Sequence, residues 1–220
     1  MNVLILNTQV PFCYGGAEVL AEDLRENLRA QGHGAEIMTL PFKWYPQQTL
    51  VNTILVSKLT DVSNFNGLAI DKVIALKFPM WLIPHPDMSF WILHQHRSAY
   101  DLWDSNLSDL AAMPDGKSLR DLIRREDDRA FARTESLYTI SRNVSKRLKH
   151  YNEVDSQVLY PPPRAMEKYT VEGARAKLDQ LRRAGQMKET TGRALRADAV
   201  EMLRSELENL HQILSADAKA

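Results

Sequence analysis

The residues best equipped for chemistry stand together in Leu93-His94-Gln95-His96-Arg97, with Tyr100, Asp101 and Trp103 close behind. Imidazole titrates near neutral pH, so His94 or His96 can serve as acid, base or partner of a sugar hydroxyl. Strand alternation would send both to one side. Arg97 suits a phosphate or a carboxylate, or else a surface ion pair. Two histidines two apart, without a matching Cys, His or Glu cluster, do not supply the usual zinc ligands, so no metal is expected. Aromatic faces beside a carboxylate, as at Tyr100, Asp101 and Trp103, suit carbohydrate or the packing of a short helix.

Other candidates are scattered in sequence. Gly15-Gly16 lets a backbone approach a phosphate or sugar, or makes a tight turn with positive φ. The full G-x-G-x-x-G fingerprint is absent. Glu18 either complements a helix dipole or holds a sugar hydroxyl. Lys77 and Ser141 follow apolar runs and would face the same cleft edge. Ser141 also reads as a helix cap, and no G-x-S-x-G elbow surrounds it. Nothing marks Cys13 as activated. Arg124-Arg125 and Glu126-Asp127-Asp128 read as a solvated helix face.

These residues need a scaffold that gathers them. Val3–Leu6, Ala35–Leu40, Lys72–Leu76, Met88–Leu93, Ser136–Ile140 and Gln157–Tyr160 are short apolar, β-branched or aromatic runs that read as strands. Between them, helices are expected over about Ala17 to Gln31, Gln47 to Leu59, Ser118 to Thr134 and Ser141 to Tyr151. The second should bury Leu50, Val51, Ile54, Leu55 and Leu59. Gly32 stands where a helix-ending C′ glycine belongs. Strand and helix alternate, which predicts an α/β fold: a doubly wound, mostly parallel, Rossmann-like sheet. Ligands of such sheets bind outside the carboxyl ends of the strands, where the His94 cluster would lie. The sheet domain is expected over 1–163 and a helical tail over 164–220. In the tail Val200, Leu203, Leu207, Leu210 and Leu214 form a short heptad-like seam.

Composition removes other classes. The chain has 220 residues, 44% of them apolar, enough for a core. Lys+Arg and Asp+Glu both number 28, so no global charge points to nucleic acid. One cysteine excludes an intrachain disulfide framework. No secretory leader and no transmembrane segment are read, and a cytoplasmic setting is expected.

Residues 1 to about 163 resemble the N-terminal domain of family 4 glycosyltransferases, retaining enzymes of the two-Rossmann-domain (GT-B) type. The matching pieces are Leu4-Ile5-Leu6-Asn7 with Gly15-Gly16-Ala17-Glu18, Leu93-His94-Gln95-His96-Arg97 with Tyr100-Asp101-Leu102-Trp103, Ile140-Ser141-Arg142-Asn143-Val144, and Val158-Leu159-Tyr160-Pro161-Pro162-Pro163. The resemblance implies sugar transfer from a nucleotide sugar to a carbohydrate or glycoconjugate acceptor, without cofactor or metal. It gives Gly15 and Gly16 the loop that reaches toward the donor diphosphate, and His94 or His96 the histidine beside the donor sugar. In that family a second Rossmann domain holds the donor, with a paired-glutamate motif. The residues after Pro163 do not carry it, since Glu201 and Glu208 have the wrong spacing and context. The expectation is therefore an acceptor-side half that needs a donor-domain partner chain, with the tail as that interface or a homo-oligomer contact. The alternative is a non-catalytic sugar-binding or interaction module derived from such an enzyme.

Overall fold

Val3-Leu4-Ile5-Leu6 is apolar at every position, and the strand it forms is covered on both faces. That strand, β1 (Asn2–Gln9), belongs to a computed structural model that describes residues 1–162. The expected limit at Pro163 and the tail of 164–220 lie outside the described residues. In chain order α1 (Gly16–Ala30), β2 (Gly34–Pro41) and α2 (Gln47–Leu59) follow, then a small hairpin of β3 (Asn64–Phe65) and β4 (Leu68–Ala69). Next come β5 (Lys72–Lys77), β6 (Met88–His94), α3 (Gly116–Phe131), β7 (Leu137–Thr139), α4 (Arg142–Asn152) and β8 (Gln157–Val158). Single 3₁₀ turns, Met80–Leu82 and Arg97–Ala99, flank β6.

The main sheet has six strands in the order β2-β1-β5-β6-β7-β8, and each pairing is parallel. The expected α/β, Rossmann-like architecture is thus what the chain forms. After β2 the chain crosses to the other side of β1, and β1 and β5 become neighbours. Their carboxyl ends therefore frame the topological switch point, where open α/β sheets offer a crevice.

Alternation along the strands sorts side chains into two cores. Ile5, Leu76, Trp91 and Leu93 pack with Leu20 and Ala21 of α1. Leu4, Leu6, Val73, Ala75, Phe90 and Ile92 pack on the opposite face, where α2, α3 and α4 supply Leu50, Ile54, Ile123, Val144 and Leu148. α1 ends as its sequence requires. Gly32 takes φ 82°, and His33 N–H and Gly32 N–H donate to Leu28 O and Arg29 O in a Schellman arrangement.

Two expectations need correction, and a small hairpin joins the expected elements. The α2 stripe is narrower than its leucines suggest. Leu50, Ile54 and Ser57 are buried, whereas Leu55 and Leu59 are exposed on the far side. The segment Asn64–Ala69 is a hairpin, with Asn66 and Gly67 both at positive φ as a type I′ turn demands. The charged face of α3 is not fully solvated. Asp127 is fully buried and Glu126 nearly so. Asp127 accepts hydrogen bonds from Trp81 Nε1 and Tyr100 O–H, each at 2.8 Å.

One glycine is fixed by space. A Cβ on Gly116, at the start of α3, would stand 2.1 Å from Leu110 O. Backbone cannot yield there without moving the 105–115 loop. Gly116→Ala should therefore destabilise by about 1–3 kcal/mol, against the small gain alanine usually brings to a helix. Chemical denaturation reads this directly, and an unchanged midpoint would contradict it.

Candidate functional site

The switch point gathers side chains from β1, α1, β5 and β6. Gly15 is the N-cap of α1 with an extended backbone, φ −152°, and Gly16 is the first helical residue. Neither has positive φ, so the tight-turn explanation of this pair fails. A Cβ on Gly16 would meet no atom within 4 Å, and one on Gly15 only Glu18 Oε2 at 3.6 Å. The fold does not require glycine here. What the pair provides is open space before the first turn of a helix, whose free amides favour an anion.

Glu18 is held by that same turn. Its Oε2 accepts from Gly15 N–H at 2.9 Å, and its Oε1 lies 3.8 Å from Lys77 Nζ. The helix-terminus reading of Glu18 is therefore realised. Lys77 closes β5 and also donates to Thr8 O at 3.1 Å. Burial lowers the Lys77 pKa, with Glu18 opposing the shift. Beneath α1, Asn7 is buried and its Oδ1 has no hydrogen-bond partner. It lines a small cavity of about 100 Å³ with Gln9, Tyr14, Glu18, Glu22 and Thr39.

The β5–β6 register slips near its carboxyl end. Ala75 pairs with Phe90, but Lys77 pairs with His94, so β6 spends two more residues than β5 over that interval. Such irregularities re-aim side chains beside sites. Here Lys77 and His94 stand opposite each other. His94 is exposed, and its Nδ1 lies 2.7 Å from Gln95 O. A carbonyl oxygen only accepts, so Nδ1 carries the proton and Nε2 of the neutral ring is an acceptor. Although the ring is accessible, desolvation by the protein around it lowers the His94 pKa. The Gln95 bond opposes this, while the charges of Lys77, Arg147 and Arg97 reinforce it.

β6 ends at His94, so alternation cannot be extended to His96. The two histidines live differently. His96 packs on the rings of Phe42 and Phe78, at centroid distances of 6.0 and 5.4 Å. Its Nε2 is buried without a hydrogen-bond partner. Burial brings its pKa down to about 4, so it is neutral at physiological pH.

Beyond β6 the candidates divide. Arg97 pairs with Asp101 through Nη2 at 2.7 Å, and Arg147 of α4 reaches the same carboxylate oxygen at 2.9 Å. Burial would raise the Asp101 pKa, but hydrogen bonds and charge from the two arginines hold it below its ordinary value. The ion-pair reading of Arg97 is realised. Tyr100 is 2% exposed and turned into the core toward Asp127, so it is not a cleft residue. Trp103 packs on the core with the Arg120 guanidinium 4.5 Å from its ring centroid. Ser141 caps α4, its Oγ accepting from Val144 N–H at 3.3 Å. Cys13 is exposed and free.

Sequence reading gives Asn7 no role of its own and does not mark Arg147. Asn7 had a signal, a polar residue continuing a wholly apolar strand. Arg147 had none, because its role depends on α4 packing beside Asp101. A roomier cavity, about 600 Å³, lies away from these groups between β1–β2 and the hairpin residues Phe65 and Leu68. It is mainly apolar and holds none of the titratable cluster.

Among the described residues no group of three or more His, Cys, Asp or Glu is placed to hold a metal ion, and no helix is long and apolar enough to cross a membrane. No protein-family model matches the chain, and no curated protein matches it significantly.

Proposed function

We propose that the described domain is the acceptor-side half of a glycosyltransferase, holding a carbohydrate or glycoconjugate acceptor while a sugar arrives from a nucleotide sugar. One observation carries the reading. A neutral, exposed imidazole with a free acceptor nitrogen stands opposite Lys77, and Lys77 lies 3.8 Å from Glu18 in the turn whose glycine pair the fold does not need. A neutral His94 can accept a hydrogen bond from a sugar hydroxyl and take its proton as the hydroxyl attacks. Open backbone at Gly15-Gly16 favours the departing diphosphate of the donor. The donor's base and ribose need a second wall, which the described residues do not supply. A partner chain or a further domain would provide it. The resemblance of Leu93–Trp103 and Gly15–Glu18 to family 4 enzymes supports the same assignment.

Amide and ring shifts in the full chain test this reading against a panel of mono- and disaccharides and their conjugates. The expected shifts fall on Gly15, Lys77 and His94. Gly16→Ala should fold with unchanged stability or a gain of about 0.5 kcal/mol, yet weaken the response to donor diphosphate at least about tenfold. Shifts confined to the Phe65 and Leu68 groove, or a Gly16→Ala chain with undiminished response, would contradict it.

A further inference from the structure

We propose that the cleft recognises an acceptor bearing a phosphate monoester, seated among Lys77, His94, Arg97 and Arg147. The proposal rests on the reading of this cleft as an acceptor site.

The four residues come from three places in the chain and are brought together by the fold. The slipped β5–β6 register sets Lys77 opposite His94. Arg97, from the turn after β6, and Arg147, from α4, meet on one oxygen of Asp101 at 2.7 and 2.9 Å. Two guanidiniums on one carboxylate leave a surplus positive charge. Among the described residues the one carboxylate paired with Lys77 is Glu18 at 3.8 Å, longer than a hydrogen bond, and Thr8 O takes one of its three donors. All three cations act on the His94 ring and oppose its protonation.

Donor capacity is also in surplus. Arg97 gives Nε and Nη2 to Asp101, and Arg147 gives Nη1. The Nε of Arg147 is buried with no partner. A buried donor left unpaired costs about 1–3 kcal/mol, so a ligand that satisfies it binds with that advantage. Asp101 fixes both guanidiniums in advance, which favours planar, multidentate capture of oxyanions. A neutral sugar needs acceptors as well as donors. This corner offers mostly donors, from three elements, and a phosphate presents three oxygens to them. The donor substrate's diphosphate is served instead by the glycine pair on the α1 side.

The test uses the full chain with its histidine ring signals followed by NMR, His94 being assigned through His94→Gln. Probes are inorganic phosphate, glycerol 3-phosphate, glycerol, acetate and a nucleoside diphosphate. Phosphate and glycerol 3-phosphate should bind at millimolar concentration and raise the His94 pKa by about one unit or more, since a nearby opposite charge favours imidazolium. Arg147→Met and, separately, Lys77→Met should weaken this binding at least about tenfold. Two variants are used because loss of Arg147 also exposes Asp101 to solvation changes, which an unchanged amide spectrum controls for. Glycerol should do nothing. The proposal is overturned if phosphate leaves His94 unmoved, if acetate matches phosphate, if both variants bind as well as the parent, or if the nucleoside diphosphate displaces phosphate and depends on the same residues. Phosphate binding here, with no sugar binding in the cleft, would overturn the glycosyltransferase reading and leave this site standing.

Discussion

Asp127→Ala should cost the protein about 3–5 kcal/mol. Two buried donors, the Trp81 indole and the Tyr100 phenol, lose their acceptor at once. A void opens among packed rings as well. Domains of this kind hold only about 5–15 kcal/mol in total, so the melting temperature should fall by about 10 °C. Tyr100→Phe removes one donor but keeps the ring, and should cost about 1 kcal/mol. Thermal and denaturant unfolding distinguish the two. An alanine variant as stable as the phenylalanine variant would show that the carboxylate does not organise this core.

The same group gives a pH signature. Burial raises the Asp127 pKa to about 7. Bonds from Trp81 and Tyr100 pull it down, and Asp128 and Glu126 add repulsion. The unfolded chain releases that proton near pH 4. Between these values the folded state holds more protons, so Asp127's contribution is fully present in acid and is lost as pH rises toward 7. Asp127→Asn removes the titration. Its deficit against the parent should be larger at pH 5 than at pH 8. A deficit that grows with pH would contradict the assignment.

The second large effect concerns transfer itself. With a donor-binding partner present, His94→Ala should reduce turnover by about 10²–10⁴-fold, the range for a lost acid or base. Stability should barely change, because His94 is exposed and its only described hydrogen bond is to its neighbour's carbonyl. In the proposed transfer the neutral ring is the active form, and the His94 pKa is lowered. Activity should therefore be flat through neutrality and fall only in acid, with the half-point below the ordinary imidazole value of about 6.5. His96→Asn should not remove that acid limb, since the His96 pKa lies near 4. An acid limb retained by His94→Gln would reassign the base.

Much of this architecture is legible in the chain because local rules and tertiary demands agree. The unbroken apolar run of β1 needs cover on both faces, and only a parallel sheet between helix layers gives it. Gly32 and Ser141 end and begin helices through bonds that involve a few neighbouring residues. Failures occur where a side chain's partner is remote. Asp127 sits among six consecutive charged residues, and nothing local shows that Trp81 and Tyr100, 46 and 27 residues away, will bury it. Leu55 and Leu59 fit a helical stripe as well as Ile54 does, and only the position of α2 on the sheet separates them. The Asn66-Gly67 pair does signal a hairpin, but strands of two residues show no alternation to support it.

The site divides in the same way. Residue types marked His94, Lys77 and the glycine pair, and the switch point brings them together. His94 and His96 are two apart in sequence, yet one is exposed at the end of β6 and the other lies against Phe42 and Phe78. The end of β6 at His94 makes that difference, and chemistry-bearing residue types alone do not show it.

The central claim is that this domain offers the acceptor wall and that donor binding needs another. Calorimetry on the full chain, with nucleoside diphosphates and their sugars, tests it most directly when a turnover assay accompanies each titration. The account predicts weak donor binding and no transfer by the pure chain. Sub-micromolar donor affinity, or turnover by the pure chain, would contradict it.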